Sequence, residues 1–366
     1  MGNRQGALEG LVNFKKAFAG KRIWISGHTG FKGSWLTAWL VELGAEIAGY
    51  SLAPKGPLFR QLGLARRIQH QEGDIRDLAR LRKSIRNFRP DYVFHLAAQP
   101  IVRRSYMQPC ETFEVNTLGT LHILDVLREI EHPCAAVIVT TDKVYENHEK
   151  VHRFRERDPL GGRDPYSASK AAGEIIIASY RNSFFKNHPV RIASARAGNV
   201  IGGGDWAEDR IFPDCIRALA GGKPISVRNP RATRPWQHVL EPLAGYLSLG
   251  MCLSKSGKLS GAYNFGPAGS GNRTVEDLVR EILRNWTGRW KKVRDVGAPH
   301  EAALLQLDHS LAKKELGWRP QWNFRQTVRQ TVFWYQGVVR WKKNPWDITI
   351  EQIKSYSSDV NKREIH

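Results

Sequence analysis

The sequence predicts an α/β fold, a doubly wound parallel sheet with a smaller, partly interleaved α/β domain, and three observations carry that expectation. The N-terminal half alternates short apolar runs with helical patterns, the signature of parallel strands joined by crossover helices. Its first apolar run, Ile23-Trp24-Ile25, empties into three glycines, Gly27, Gly30 and Gly33, ahead of a helical pattern from Trp35 to Leu43 that stops at Gly44. Beyond Arg196 the alternation breaks down, as it does where a second domain begins.

Strand, glycine turn and helix together form a dinucleotide pyrophosphate site of the Rossmann type. The first glycine permits the tight turn, the second lets backbone approach the phosphates, and the third lets helix pack on strand. Backbone N–H groups at the helix start, from Thr29 through Phe31 and Lys32, receive the anion. The spacing is G-x-x-G-x-x-G rather than G-x-G-x-x-G, so the strand before it and the helix after it carry the assignment.

Strand two follows at Glu46 to Tyr50, and further strands at Tyr92 to Leu96 and Ala135 to Val139. Where a carboxylate normally takes the adenosine ribose hydroxyls, the chain reads Gly49-Tyr50-Ser51, which leaves NAD and NADP both open. His28 and Lys32 either favour a 2'-phosphate or are solvated. Asp74-Ile75 ends a third strand, its carboxylate accepting from an adenine amino group, or caps the helix from Leu78 to Ile85. Leu96-Ala97-Ala98 closes its strand in small residues that suit either a cofactor alongside or plain packing.

These elements set the expected boundaries: an extension over residues 1–20, a nucleotide-binding domain over 21–195 with returning segments near 236–265, a substrate domain over 196–345, and a polar tail over 346–366. The returning segments are a helix from Glu241 to Cys252 and a strand from Ala262 to Phe265. Leu311 to Gly317 is a helix stopped by Gly317 and Pro320.

The net charge of +21 admits nucleic acid, an anionic small substrate or a solvated surface. Its basic residues are spread along the chain, and no helix-turn-helix, zinc finger or RNP-type motif accompanies them, so nucleic acid is not the expected partner. The four cysteines, Cys110, Cys134, Cys215 and Cys252, form no C-x-x-C pair, and the histidines lack ligand spacing, so no metal is expected. No apolar run approaches the ~18 residues of a membrane span, and the start has no signal-peptide pattern. A cytoplasmic protein is expected.

The chemistry lies mid-chain. A strand runs into Thr140-Thr141-Asp142-Lys143, and an irregular loop then leads to Tyr166-Ser167-Ala168-Ser169-Lys170. Tyr166 and Lys170 stand four apart on a helical pattern and share a face, where an ammonium lowers a phenol's pKa and prepares a base. Ser167 and Lys170 also fit S-x-x-K, but the partner motifs S-D-N and K-T-G are missing.

Together these features resemble the extended short-chain dehydrogenase/reductase family. More narrowly, GHTGFKGSW from Gly27, HLAAQP from His95, TDKVYEN from Thr141, DPYSASK from Asp164, RAGNVIGGGDW from Arg196, RPWQHVLEPLAGY from Arg234 and YNFGP from Tyr263 resemble the CDP-glucose 4,6-dehydratases. The resemblance implies conversion of CDP-glucose to CDP-4-keto-6-deoxyglucose with catalytic NAD, a step that supplies deoxysugars for surface polysaccharide such as lipopolysaccharide O-antigen. It implies that Tyr166 takes the C4 hydroxyl proton, Lys170 holds the nicotinamide ribose, Thr141 bonds the C4 oxygen and Asp142 protonates the departing C6 hydroxyl. Lys143 stands where dTDP-glucose enzymes carry glutamate, and either takes the C5 proton or stays charged and stabilises the enolate. Gln99, Asn116, Arg196, Asn199, Arg228, Arg234 and His300 become substrate contacts, with Asn116 also steadying the active-site helix. Gly202 to Trp206 is read as a flexible turn with a stacking aromatic. Helices 111–131 and 166–184 would pair across a two-fold axis in a homodimer or a dimer of dimers. A nucleotide-sugar 4-epimerase would share Thr141, Tyr166 and Lys170 without needing Asp142 as an acid; an RNA-binding relative would need none of them.

Overall fold

The computed structural model describes residues 14–148, 150–208, 210–293 and 305–362. Its centre is a seven-stranded sheet: β1 Arg22–Ser26, β2 Glu46–Ser51, β3 Gln69–Glu72, β4 Tyr92–His95, β5 Cys134–Val139, β6 Val190–Ala197 and β7 Ala262–Phe265. The spatial order is β3-β2-β1-β4-β5-β6-β7, and every neighbouring pair is parallel. Strand order reverses between β1 and β4, and a parallel sheet offers its ligand crevice at that switch point. The central strands are buried on both faces, so they read as continuous apolar runs. All six residues of β5 are buried.

The helices that matter for the site are α1 Phe14–Phe18, α2 Phe31–Glu42, α3 Leu78–Phe88, α4 Gly119–Leu127, α5 Pro165–Ser183, α6 Leu240–Lys255, α7 Phe324–Tyr335 and α8 Pro345–Lys362. Asp164 caps α5 by accepting from the Ser167 amide at 2.9 Å and the Ser167 hydroxyl at 2.6 Å, and Pro165 occupies the first helical position, where its missing N–H costs nothing. That cap sets the start of the helix, and so the direction in which Tyr166 and Lys170 project.

After β6 the chain leaves the sheet through small two-stranded ladders, returns as α6 and β7, and leaves again. Gln237 and His238 pair with Val200 and Ile201 in a small separate sheet, while α6 packs on the core and β7 pairs with β6 at the edge of the central sheet.

Both ends differ from expectation. In place of a plain extension, α1 docks on the core: Phe18 is fully buried and its ring centroid lies 4.9 Å from that of Tyr92. In place of a polar tail, residues 345–362 form α8, with Ile348, Ile353 and Tyr356 buried. The sequence of α8 looks polar because its apolar residues form one narrow stripe among charges. The helix joins the two halves of the molecule. Tyr356 packs edge-on against Trp39 of α2 and donates to the buried Glu241 of α6 at 2.7 Å. Thr349 accepts from Trp334 of α7.

Candidate active site

The glycine turn has the shape an anion site needs. Gly27 lies at φ +75°, and a Cβ there would sit 2.6 Å from the Ala97 amide nitrogen, so only glycine lets β1 and the end of β4 approach this closely. Gly30 caps α2 with no side-chain bond to the first amides, which leaves the helix start available to a phosphate. Thr29 shares a 2.7 Å hydrogen bond with Ser51 at the end of β2, and the fully buried Ser26 accepts from the Leu96 and Ala97 amides. Gly27, Leu96 and Ala97 thus meet at the C-terminal ends of β1 and β4.

Three expectations about the adenosine end need correction. His28 is buried between Gly49, Phe59 and His70; burial and the neighbouring His70 push its pKa down to about 3, so it is neutral and no partner for a 2'-phosphate. Lys32 points the other way, its ammonium 3.4 Å from the Tyr246 hydroxyl and within the field of Asp142, Lys170 and Arg210. Asp74 does not cap a helix: Asp77 does, accepting from the Arg80 amide at 3.0 Å. Arg76 grips Asp74 in a fork, with contacts of 2.7–3.1 Å, and holds its carboxyl below the usual range. Ile75 beside it is buried against Gly119.

At the C-terminal ends of β5 and β6 the chemical groups converge. The Thr141 hydroxyl caps the short turn Asp142–Val144 and donates to the Asp142 carboxylate at 3.0 Å, while the Tyr166 hydroxyl bonds Thr141 from α5. Asp142 is buried, and its carboxyl faces Gly198, where a Cβ would come within 2.6 Å of it. Burial raises the Asp142 pKa against the opposing fields of Lys143, Lys32 and Arg234 and the Thr141 bond. A carboxyl in this setting keeps its proton to a higher pH than a solvated one, which suits an acid.

Burial acts in opposite senses on the Tyr166–Lys170 pair. It pushes the Tyr166 phenol up to about 12, only partly offset by the Thr141 bond, and pulls the Lys170 ammonium down to about 8 against the field of Glu174. The expected Lys170-prepared phenolate is therefore not the resting state. Lys170 donates to the Val139 carbonyl at 3.3 Å, and an enclosed cleft penalises charge on both groups.

Asn116, Gln99 and Arg196 also differ from their expected role as substrate contacts, because their polar groups are spent on the protein. Asn116 sits in a π-helical turn, Glu114–Leu118, and bridges the Gln99 backbone to the Ser169 hydroxyl of α5 at 2.8–3.1 Å. Its side chain thereby ties the Gln99 backbone to α5. Gln99 folds back on Ile101 and Thr112. Arg196 is 3% exposed and paired with Glu174 at 2.8 Å. Asn199 is half-buried just past β6, Arg234 lies on the short strand Thr233–Pro235, and Arg228 is exposed in the bend after Ile225–Val227. The Gly202–Trp206 turn is buried from Gly202 to Asp205, with Trp206 packed edge-on against Tyr335. His300 lies outside the described residues. Among the described residues no three His, Cys, Asp or Glu side chains form a metal group, and no helix is long and apolar enough to cross a membrane.

Sequence reasoning missed Arg210, Tyr246 and Glu174. Arg210 pairs with Asp205 at 2.9 Å and places its charge near Tyr166 and Lys32; no local pattern marks it. Glu174 was legible, one helical turn beyond Lys170 on the same face.

The chain is similar to known proteins. A CDP-glucose 4,6-dehydratase of Salmonella typhimurium is 46% identical over 335 residues, spanning 89% of this chain and 93% of its own. A UDP-glucose 4-epimerase of Thermus thermophilus, solved with NAD, superposes with a TM-score of 0.73 at 25% identity, covering 86% of this chain and 99% of its own. A dTDP-glucose 4,6-dehydratase of Streptomyces venezuelae, solved with NAD, superposes with a TM-score of 0.75 at 23% identity over 89% of this chain and 99% of its own, a likeness of fold. The family model described as GDP-mannose 4,6 dehydratase matches residues 24–255, a span that holds the glycine turn, Thr141-Asp142 and the Tyr166–Lys170 pair, and the chain belongs to that family.

Proposed function

We propose that this chain is a CDP-glucose 4,6-dehydratase, which removes water from CDP-glucose and leaves CDP-4-keto-6-deoxyglucose, with NAD as a catalytic cofactor. The observation that carries the reading is Asp142, a buried carboxyl with a raised pKa beside Thr141 and Tyr166; an epimerase has no need of an acid there. The relative at 46% identity supports the same choice of base.

The cleft from Gly27 through Ala98 would hold NAD, with its pyrophosphate at the start of α2 and its ribose against Lys170. When bound, NAD takes the C4 hydride and later returns it to C6. Tyr166 takes the C4 hydroxyl proton in its ionised form, a minority state at rest that the Lys170 ammonium stabilises, while Thr141 bonds the oxygen. The C4 ketone acidifies the C5 proton, which leaves as Asp142 gives its proton to the C6 hydroxyl, and the oxygen departs as water. C6 then takes the hydride and C5 a proton, so redox balance is restored. Lys143, half-buried beside Asp142, would take the C5 proton or stabilise the enolate. Arg234 and Arg228 supply positive charge for the diphosphate.

The chain acts as a cytoplasmic homodimer in this reading. Phe113, Leu118 and Ile175 are 38%, 46% and 59% exposed on neighbouring helical segments, an apolar face suited to a second copy. Light scattering tests the dimer, with a monomeric mass rejecting it. The reaction is tested with purified protein, NAD and a panel of CDP-, dTDP-, UDP- and GDP-hexoses followed by mass. Loss of water from CDP-glucose alone is expected; interconversion of C4 epimers without loss of water would overturn the reading.

A further inference from the structure

Beneath the reacting groups lies a buried ion pair that the chemistry does not use. Glu174 and Arg196 meet at 2.8 Å with side chains 3% and 4% exposed. A buried pair of this kind adds little net stability, since desolvating both charges cancels most of their attraction. Its contacts point to another purpose. The Glu174 carboxylate accepts from the Thr140 hydroxyl at 2.5 Å and the Ser194 hydroxyl at 2.8 Å. The Arg196 guanidinium donates to the Tyr145 hydroxyl at 2.8 Å and the Glu156 carbonyl at 3.1 Å, and lies over the Tyr145 ring. Tyr145 in turn donates to Asn264 of β7 at 2.7 Å and stacks on Phe154.

Thr140 and Tyr145 are the two residues that bracket Thr141-Asp142-Lys143-Val144. Glu174 rides on α5, the helix that carries Tyr166 and Lys170. One ion pair thus grips both ends of the turn that bears the acid and ties it to the helix that bears the C4 base. We propose that Glu174 and Arg196 are positioning residues, a clamp that fixes Asp142 relative to Tyr166 so that elimination follows oxidation without rearrangement. The proposal rests on the dehydratase reading above. Oxidation at C4 needs Tyr166 against Thr141, whereas protonation at C6 needs Asp142 at a set reach, which the turn's geometry supplies together with the Thr141 bond to its carboxylate.

The test cuts the two links and leaves the ion pair in place. Thr140→Val and Tyr145→Phe each remove hydroxyl bonds and keep shape, and Thr140→Ser restores the first bond. In single turnovers with CDP-glucose and NAD, both variants should form the 340 nm absorbance of oxidation at close to the wild-type rate. Its decay and the release of 4-keto-6-deoxy product should slow by about 10- to 100-fold, the scale of a small misplacement of reacting groups. KM should hold, and Thr140→Ser should recover. In the chain without substrate, amide exchange across residues 140–146 should quicken more than exchange elsewhere, beyond the modest fall in Tm that the lost buried hydrogen bonds bring. Elimination at the wild-type rate in both variants, unchanged exchange in that segment, or an equal fall in oxidation, elimination and Tm would each overturn the clamp. A wild-type chain that releases no water from CDP-glucose would overturn the dehydratase reading instead, and the exchange measurement would still decide whether the clamp exists.

Discussion

Asp142 and Lys170 share one cleft, and burial drives both toward neutrality: it raises the carboxyl and lowers the ammonium. The Tyr166 phenol moves up to about 12 for the same reason. Two outcomes follow at the scale of single residues. Tyr166→Phe removes the acceptor of the C4 proton and should abolish oxidation, read as loss of 340 nm absorbance in single turnover. Asp142→Asn keeps the shape and loses the acid, so oxidation should persist while water release slows by about 10²-fold or more; equal loss of both steps in the two variants would sink these roles. The pH dependence has a definite sign. Lys170 loses its proton as pH rises through about 8, and the protonated form of Asp142 is also lost as pH rises. Water release should therefore slow on the alkaline side, with a limb near 8, while ionisation of the Tyr166 phenol acts in the other direction on oxidation alone. Water release that keeps quickening to about pH 10 would remove the ammonium from the mechanism.

Among the elements, α8 carries more than its composition suggests. It meets α2 through Tyr356 and Trp39 and through the Lys354–Glu42 ion pair at 3.0 Å, and meets α7 through Thr349 and Trp334. Glu241 is the shared anchor, accepting from the Gln321 and Trp322 amides at 2.6–3.0 Å as well as from Tyr356. Glu241→Ala would strand three buried donors and should cost about 3 kcal/mol, at roughly 1 kcal/mol each. Tyr356→Phe should cost about 1 kcal/mol. Urea unfolding of the two variants checks the ratio, and equal midpoints would show that Glu241 does not anchor the helix. Polar letters hid this helix: its buried residues, Ile348, Ile353, Tyr356 and Val360, form a stripe whose worth depends on the Trp39 and Trp322 surface waiting for it.

At the scale of the whole molecule, His28, His95 and His238 of the described residues sit neutral in the interior. Burial pushes each of them down to about 3, whereas in the unfolded chain they titrate near 6.5. Between those values the unfolded chain holds more protons than the folded one, so stability is fully present above about pH 6.5 and is lost as pH falls. Three such groups contribute a slope of about 4 kcal/mol per pH unit at full effect. With a net charge of +21, added protons also increase self-repulsion. The chain should therefore unfold sharply between about pH 6 and 4. A Tm unchanged from pH 7 to pH 5 would mean that these histidines accept protons without unfolding.

The sequence by itself determined the sheet, the glycine turn and the Tyr166–Lys170 helix. Strand burial, the demand of a tight turn for Gly27 and the four-residue spacing on a capped helix are local properties, and they hold whatever surrounds them. The returning strand Ala262–Phe265 was legible for the same reason. What tertiary structure decided is where charge and polar groups end up: Lys32 turned toward Asp142, Arg196 was buried against Glu174, Gln99 and Asn116 were bonded to each other, and Arg210 arrived from a distant loop beside Tyr166. A pKa or an ion pair is set by neighbours far apart in the chain and by how much water they exclude, and neither is written in the spacing of residues along it.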